Sequence, residues 1–113
     1  INTVDDGVEI AEKVGSPLIK VLADVAHMFV QNEDLKKLAG YKEFMLHAHT
    51  SNPDPAPELG KKRIYPAVND KFSQVEFFTQ LKAAGVETCS IEAEVLDFET
   101  DAKNAYEILK DLR

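Results

Sequence analysis

Short apolar runs alternate with amphipathic, helix-spaced stretches along the chain, and this alternation is what most narrows its fold. The run Leu18-Ile19-Lys20-Val21-Leu22-Ala23 is too short for a helix and nearly continuous in apolar side chains, as a strand covered on both faces requires. Two further runs, Glu43 to His49 and Thr88 to Val95, repeat the pattern with helical spacing before and after each. Strands separated by helices are parallel and joined by right-handed crossovers. Their C-terminal ends therefore share one edge, the edge at which α/β sheets and barrels carry their sites.

Each helical stretch has its own start and stop chemistry. Thr3 is placed to cap a helix with Asp5 and Asp6 in its first turn and Val4, Val8 and Ala11 on one face, and Gly15 followed by Pro17 ends it. The spacing predicts a second, short helix from Glu33 to Ala39, stopped by Gly40. Ser73 and Glu76 form a capping box ahead of Phe77, Leu81 and Ala84, with Gly85 as the stop. A fourth helix starts near Thr100 and presents Ala102, Ala105, Tyr106 and Leu109 to a core. Between Thr50 and Asp70 runs a long loop with Pro53, Pro55, Pro57, Gly60 and Pro66, a length that points to function or disorder.

At 113 residues the chain is expected to be a single domain. Its net charge of −7 comes from scattered acidic residues, and its basic run is the short Lys61, Lys62, Arg63, so a nucleic-acid partner is not expected. No apolar run approaches the roughly 18 residues of a membrane span, and no membrane partner is expected. Cys89 is the single cysteine, which excludes an internal disulfide and fits a buried structural thiol in a reducing, cytoplasmic setting. The chain opens on Ile1 instead of Met, as a processed, cloned or proteolysed piece would.

Metal-binding side chains gather where each strand stops: Asp24 and His27 after the first, His47 and His49 on the second, Glu92 and Glu94 on the third. Each alone has a plainer explanation. A strand-end Asp is commonly a turn or helix cap, His27 can cap or pack, His47 or His49 can be a satisfied histidine, and Glu92 or Glu94 a solvated edge residue. Together, a carboxylate, an imidazole and a second carboxylate from three successive strands make a hard, oxygen-rich site. Such a site suits manganese, magnesium, cobalt or zinc and leaves positions for substrate oxygens.

The segments VLADVAHM, FMLHAHTSNP and CSIEAEVLDF resemble the strand ends of the sugar phosphate isomerase/epimerase family, the xylose isomerase-like barrels that include ketose 3-epimerases. An Asp-x-x-His, a His-x-His and a Ser-x-Glu recur in that family in this order, and the resemblance covers nearly the whole chain. It implies Asp24, His49 and Glu92 as metal ligands, with Glu92 also exchanging a proton with substrate. His27 and His47 are implied on the substrate side. Family members often carry an arginine soon after the His-x-His; here that stretch reads Pro53-Asp54-Pro55, and Arg63, before Ile64-Tyr65-Pro66, resembles the family's Arg-x-x-Pro better. Glu94 matches nothing in the pattern.

The implied fold is a partial (β/α)8 TIM barrel, three parallel strands alternating with four helices. Residues 1–113 would be its C-terminal portion, about three-eighths of the eight units such a barrel needs. The family's other catalytic glutamate belongs to a strand before the first helix and has no counterpart here. The implied activity is metal-assisted proton transfer through an enediolate on a sugar or sugar phosphate, with little or no turnover by this portion alone. A bare barrel interior on such a piece is expected to promote self-association or pairing with the missing N-terminal part. Two other readings are open: another metal-dependent barrel reaction, such as dehydration or zinc endonuclease-like cleavage, and a non-enzymatic α/β interaction domain whose strand-end residues lie far apart.

Overall fold

The computed structural model describes residues 2–52, 74–93 and 97–112. Helix α1 (Val4–Val14) begins at Thr3, whose side chain accepts from the Asp6 amide while the Asp6 carboxylate accepts from the Asn2 and Thr3 amides. Gly15 ends it in the left-handed region, φ 64°, where a Cβ would be strained. Val4, Val8 and Ala11 are buried along one stripe, as their spacing requires.

Three strands, β1 (Val21–Asp24), β2 (Met45–Thr50) and β3 (Thr88–Ile91), form one parallel sheet in the order β1-β2-β3. Helices α3 (Gln74–Ala83) and α4 (Phe98–Leu109) follow β2 and β3. Among the described residues, parallel strands thus alternate with helices as the sequence pattern implies. The core lies between sheet and helices: Ala23, Val25, Met28, Leu38, Ala48 and Phe77 are all at most 1% exposed and pack into one cluster. At the end of β2 the Thr50 hydroxyl donates to Gln74 Oε1 at 2.8 Å and Gln74 Nε2 donates to the Ser51 carbonyl at 3.0 Å, so buried polar groups anchor α3 to the strand.

Several boundaries differ from the sequence expectation. β1 starts at Val21, because Ser16 to Ile19 form a turn in which the Ile19 amide donates to the Ser16 carbonyl, and Leu18 is 88% exposed. The expected helix Glu33 to Ala39 is found as a 3-10 helix (Leu35–Tyr41), and a short helix that was not expected, α2 (Val25–Val30), precedes it. Asp24 caps α2 directly from the strand, and Asn32 at φ 54° breaks the chain between the two. α4 begins at Phe98, two residues before Thr100, with Asp97 as its cap. Ser73, Arg63, Glu94 and most of the proline-rich loop lie outside the described residues.

The 3-10 helix is tied back to the start of α1. The Glu33 carboxylate accepts from the Val4 amide at 3.1 Å and from Lys37 Nζ at 2.8 Å, while Lys37 Nζ also donates to Asp5 at 2.7 Å and the Tyr41 hydroxyl donates to Asp5 at 2.5 Å. The Lys37 bond, and then that of Tyr41, hold Asp5 below the usual carboxylate value, and the same bond from Asp5 raises Tyr41.

In β2 one residue is extra. Val21 pairs with Met45 and Leu22 with His47, which leaves Leu46 opposite no residue of β1. This bulge resets the side-chain alternation. Met45 therefore faces the helices at 6% exposure together with Ala48, although two residues lie between them where a regular strand would have one. His47 and His49 face the other way, beside Leu22 and Asp24 of β1 and Thr88 and Ser90 of β3. On that open face Leu22 is 42% exposed, and Leu46, the extra residue of β2, is 65% exposed.

Candidate metal centre

Asp24 is the last residue of β1 and the N-cap of α2, and its two oxygens divide the work. Oδ1 accepts from the Ala26 amide at 2.8 Å and the His27 amide at 3.2 Å, leaving Oδ2 turned toward β2. There His49 stands in direct register with Asp24, its Nδ1 3.8 Å from Oδ2. From the other side Glu92, the first residue past β3, brings Oε2 to 2.8 Å of the same nitrogen. The Glu92 amide still donates to the Thr50 carbonyl at 3.0 Å, so the ladder holds its backbone after the strand has ended.

One ligand atom from each of Asp24, His49 and Glu92 lies within 4.8 Å of the others. Metal bonds of about 2.0–2.2 Å to nitrogen and oxygen put two ligands of one cation up to about 4.4 Å apart. The separations of 2.8 and 3.8 Å from His49 Nδ1 fall within that span. The donor set also fits: two carboxylates and an imidazole suit a hard or borderline divalent cation. Side-chain exposure rises from 11% at Asp24 through 29% at His49 to 50% at Glu92, so the site opens on the Glu92 side. A cleft of about 560 Å³ there is lined by Asp24, His27, His49, Glu92, Thr3 and Glu33.

His27, expected on the substrate side, is exposed on the wall of this cleft. His47 is on the same face one step lower, and both its ring nitrogens are engaged: Nδ1 with Thr88 Oγ1 at 2.8 Å and Nε2 with Ser90 Oγ at 3.0 Å. Of those two hydroxyls the sequence marks Ser90, as the serine of the Ser-x-Glu motif, and counting back from Glu92 in twos finds Thr88 as well. Arg63 lies outside the described residues. A larger cleft of about 660 Å³, lined by Phe78, Leu81, Cys89, Ile91, Tyr106 and Leu109, lies on the opposite, helix-covered side of β3 and carries no such cluster. Burial, with a smaller contribution from the Asp24 charge, pushes the Cys89 thiol up to about 11, consistent with a structural thiol.

No family model and no curated protein matches the sequence. Solved structures do match it in fold. A xylose isomerase domain protein from Alicyclobacillus acidocaldarius subsp. acidocaldarius superposes with a TM-score of 0.79 at 24% identity, over 99% of this chain and 43% of its own. An L-ribulose 3-epimerase gives 0.76 at 18%, over 99% of this chain and 42% of its own. The IolI protein, solved with a bound zinc atom, gives 0.76 at 18%, over 99% and 44%. The fold is therefore that of part of a xylose isomerase-like TIM barrel, the kind the sequence resembles, and the chain spans less than half the length of the structures it matches.

Proposed function

We propose that this chain is part of a divalent-cation-dependent isomerase or epimerase acting on a sugar or sugar phosphate. The observation that carries the reading is the convergence of Asp24, His49 and Glu92 within 4.8 Å at the C-terminal strand edge. The non-enzymatic reading required those heads to lie far apart. A xylose isomerase domain protein, an epimerase and a zinc-holding protein among the structures of like fold support the same class.

Asp24 Oδ2, His49 Nδ1 and Glu92 would hold the cation, and their oxygen-rich donor set suits manganese, magnesium, cobalt or zinc. When bound it supplies Lewis-acid polarisation of neighbouring carbonyl and hydroxyl oxygens. Glu92, the most exposed of the three, takes the proton from the carbon beside the carbonyl, and the C–H electron pair moves to give an enediolate. Return of a proton to the opposite face inverts the carbon, and return to the neighbouring carbon moves the carbonyl. The resemblance assigns the opposite-face base to a glutamate on a strand preceding α1, so this chain alone is expected to turn over little. His27, and His47 through its hydroxyl partners, orient substrate hydroxyls, and Arg63 meets a hydroxyl or phosphate. β1 and β3 each have one edge without a partner strand among the described residues, which further barrel strands or a second copy would cover.

No described helix is long and apolar enough to cross a membrane. The cytoplasmic, carbohydrate-metabolic setting belongs to the same proposal. It is tested on the full protein by titrating manganese, cobalt and zinc, then following solvent deuterium into a panel of ketoses. Cation binding with deuterium uptake at carbon is the expected result. Cation binding without uptake from any sugar would move the reading to dehydration or another metal-dependent reaction, and no binding at all would overturn it.

A further inference from the structure

His49 to Glu92 is the uppermost of three side-chain bridges that cross from β2 to β3 on the open face. The other two both start at His47, one running to Thr88, its register partner, and one running diagonally up to Ser90. Thr88, Ser90 and Glu92 alternate along β3, so all three bridges grip the same side of that strand. Two hydroxyls and an imidazole are well matched for this. A neutral ring has one N–H and one lone pair, and each hydroxyl can give or accept, so both bridges form in either tautomer.

β3 has only four residues, and Glu92 lies beyond its end. A strand advances about 3.3 Å per residue, so even a one-residue slip of β3 against β2 would carry Glu92 out of reach of His49, now at 2.8 Å. The His47 ring also meets His49 edge to face, with centroids 5.6 Å apart and planes at 89°, which limits rotation of the His49 ring.

We propose that His47 is a positioning residue for the cation site: by clamping Thr88 and Ser90 it fixes the height of β3 against β2, and with it the separation of His49 from Glu92. The inference rests on the reading of Asp24, His49 and Glu92 as cation ligands. It gives His47 a role exerted through protein hydroxyls instead of a nitrogen offered to a ligand.

The test is a cobalt(II) titration of the full protein, read by calorimetry and by the visible absorption bands, at a temperature where circular dichroism shows each variant folded. H47F keeps a ring edge against His49 and removes both bridges; the pair T88V/S90A keeps His47 and removes its partners. Each is expected to weaken cobalt binding about tenfold, the lower end of what groups supporting the ligands contribute, and to shift the bands. Combined, they are expected to be no weaker than either alone, because they break the same bridges. H47N, which can retain one bridge, falls between. Wild-type affinity and unchanged bands in folded H47F, or in T88V/S90A should H47F not fold, overturn the clamp and leave the ligand reading standing. A wild-type protein that binds no cobalt, manganese or zinc overturns the ligand reading itself.

Discussion

Asp24 stands opposite His49 in the parallel register of β1 and β2, with Oδ2 3.8 Å from His49 Nδ1 while Oδ1 caps α2. One side chain thus closes a helix and faces the proposed cation site at the same time.

The two tasks separate by substitution. D24N keeps an oxygen able to accept from the Ala26 and His27 amides and removes the charge, so its melting temperature stays near wild type while cation affinity falls by more than about 100-fold, beyond the loss expected for a merely supporting group. D24A loses the cap as well and should cost about 1 kcal/mol of stability in addition. Parallel calorimetry and denaturant melts read both. Equal stability of the two variants would deny the cap its part.

Glu92 is half exposed and ends the ladder, which suits the role of base proposed for it. In the full protein E92Q retains an oxygen for the cation and loses the base. It is expected to lower kcat by about 100- to 10,000-fold, with deuterium exchange into substrate lost in parallel. Unchanged exchange in E92Q would transfer the proton to another residue.

How much of this could be read from residues alone differs by element. The α1 cap at Thr3, the Gly15 stop and the Phe77, Leu81, Ala84 face of α3 follow from local chemistry, and the structure reproduces them. α2 was illegible because its cap, Asp24, is also the end of a strand, and six residues give too little periodicity to declare a helix. The three converging heads could be listed from their strand-end positions, but their distances depend on register. The alternation in twos from Glu92 puts Thr88 and Ser90 on its side of β3, but their pairing with His47 depends on how β3 lies beside β2.

Acid should act first on the start of α1. The Asn2 and Thr3 amides hold Asp6 below its ordinary 3.8, and Lys37, then Tyr41, do the same to Asp5. Groups with lowered folded values stabilise the fold above the unfolded value and lose that contribution as pH falls through the folded one. D6N is therefore expected to melt below wild type at pH 6, with the deficit narrowing as pH drops from 3.8. A deficit independent of pH would assign the loss to shape, not charge.

Cys89 packs against the core with its thiol pushed up to about 11. Because the thiolate is the reacting form, modification by an aromatic disulfide reagent at pH 8 should be far slower in the folded protein than in urea. Comparable rates in the two states would place Cys89 at an open surface.

The extra residue at Leu46 makes one deletion in the middle strand unusually mild. Without Leu46, the series Met45, His47, Ala48, His49 alternates strictly in twos, each side chain on the side it now holds and opposite the residue of β1 it now faces. A lost codon that would turn over a whole row of side chains in a regular strand should here leave both the oily layer beneath the helices and the two imidazoles where they are.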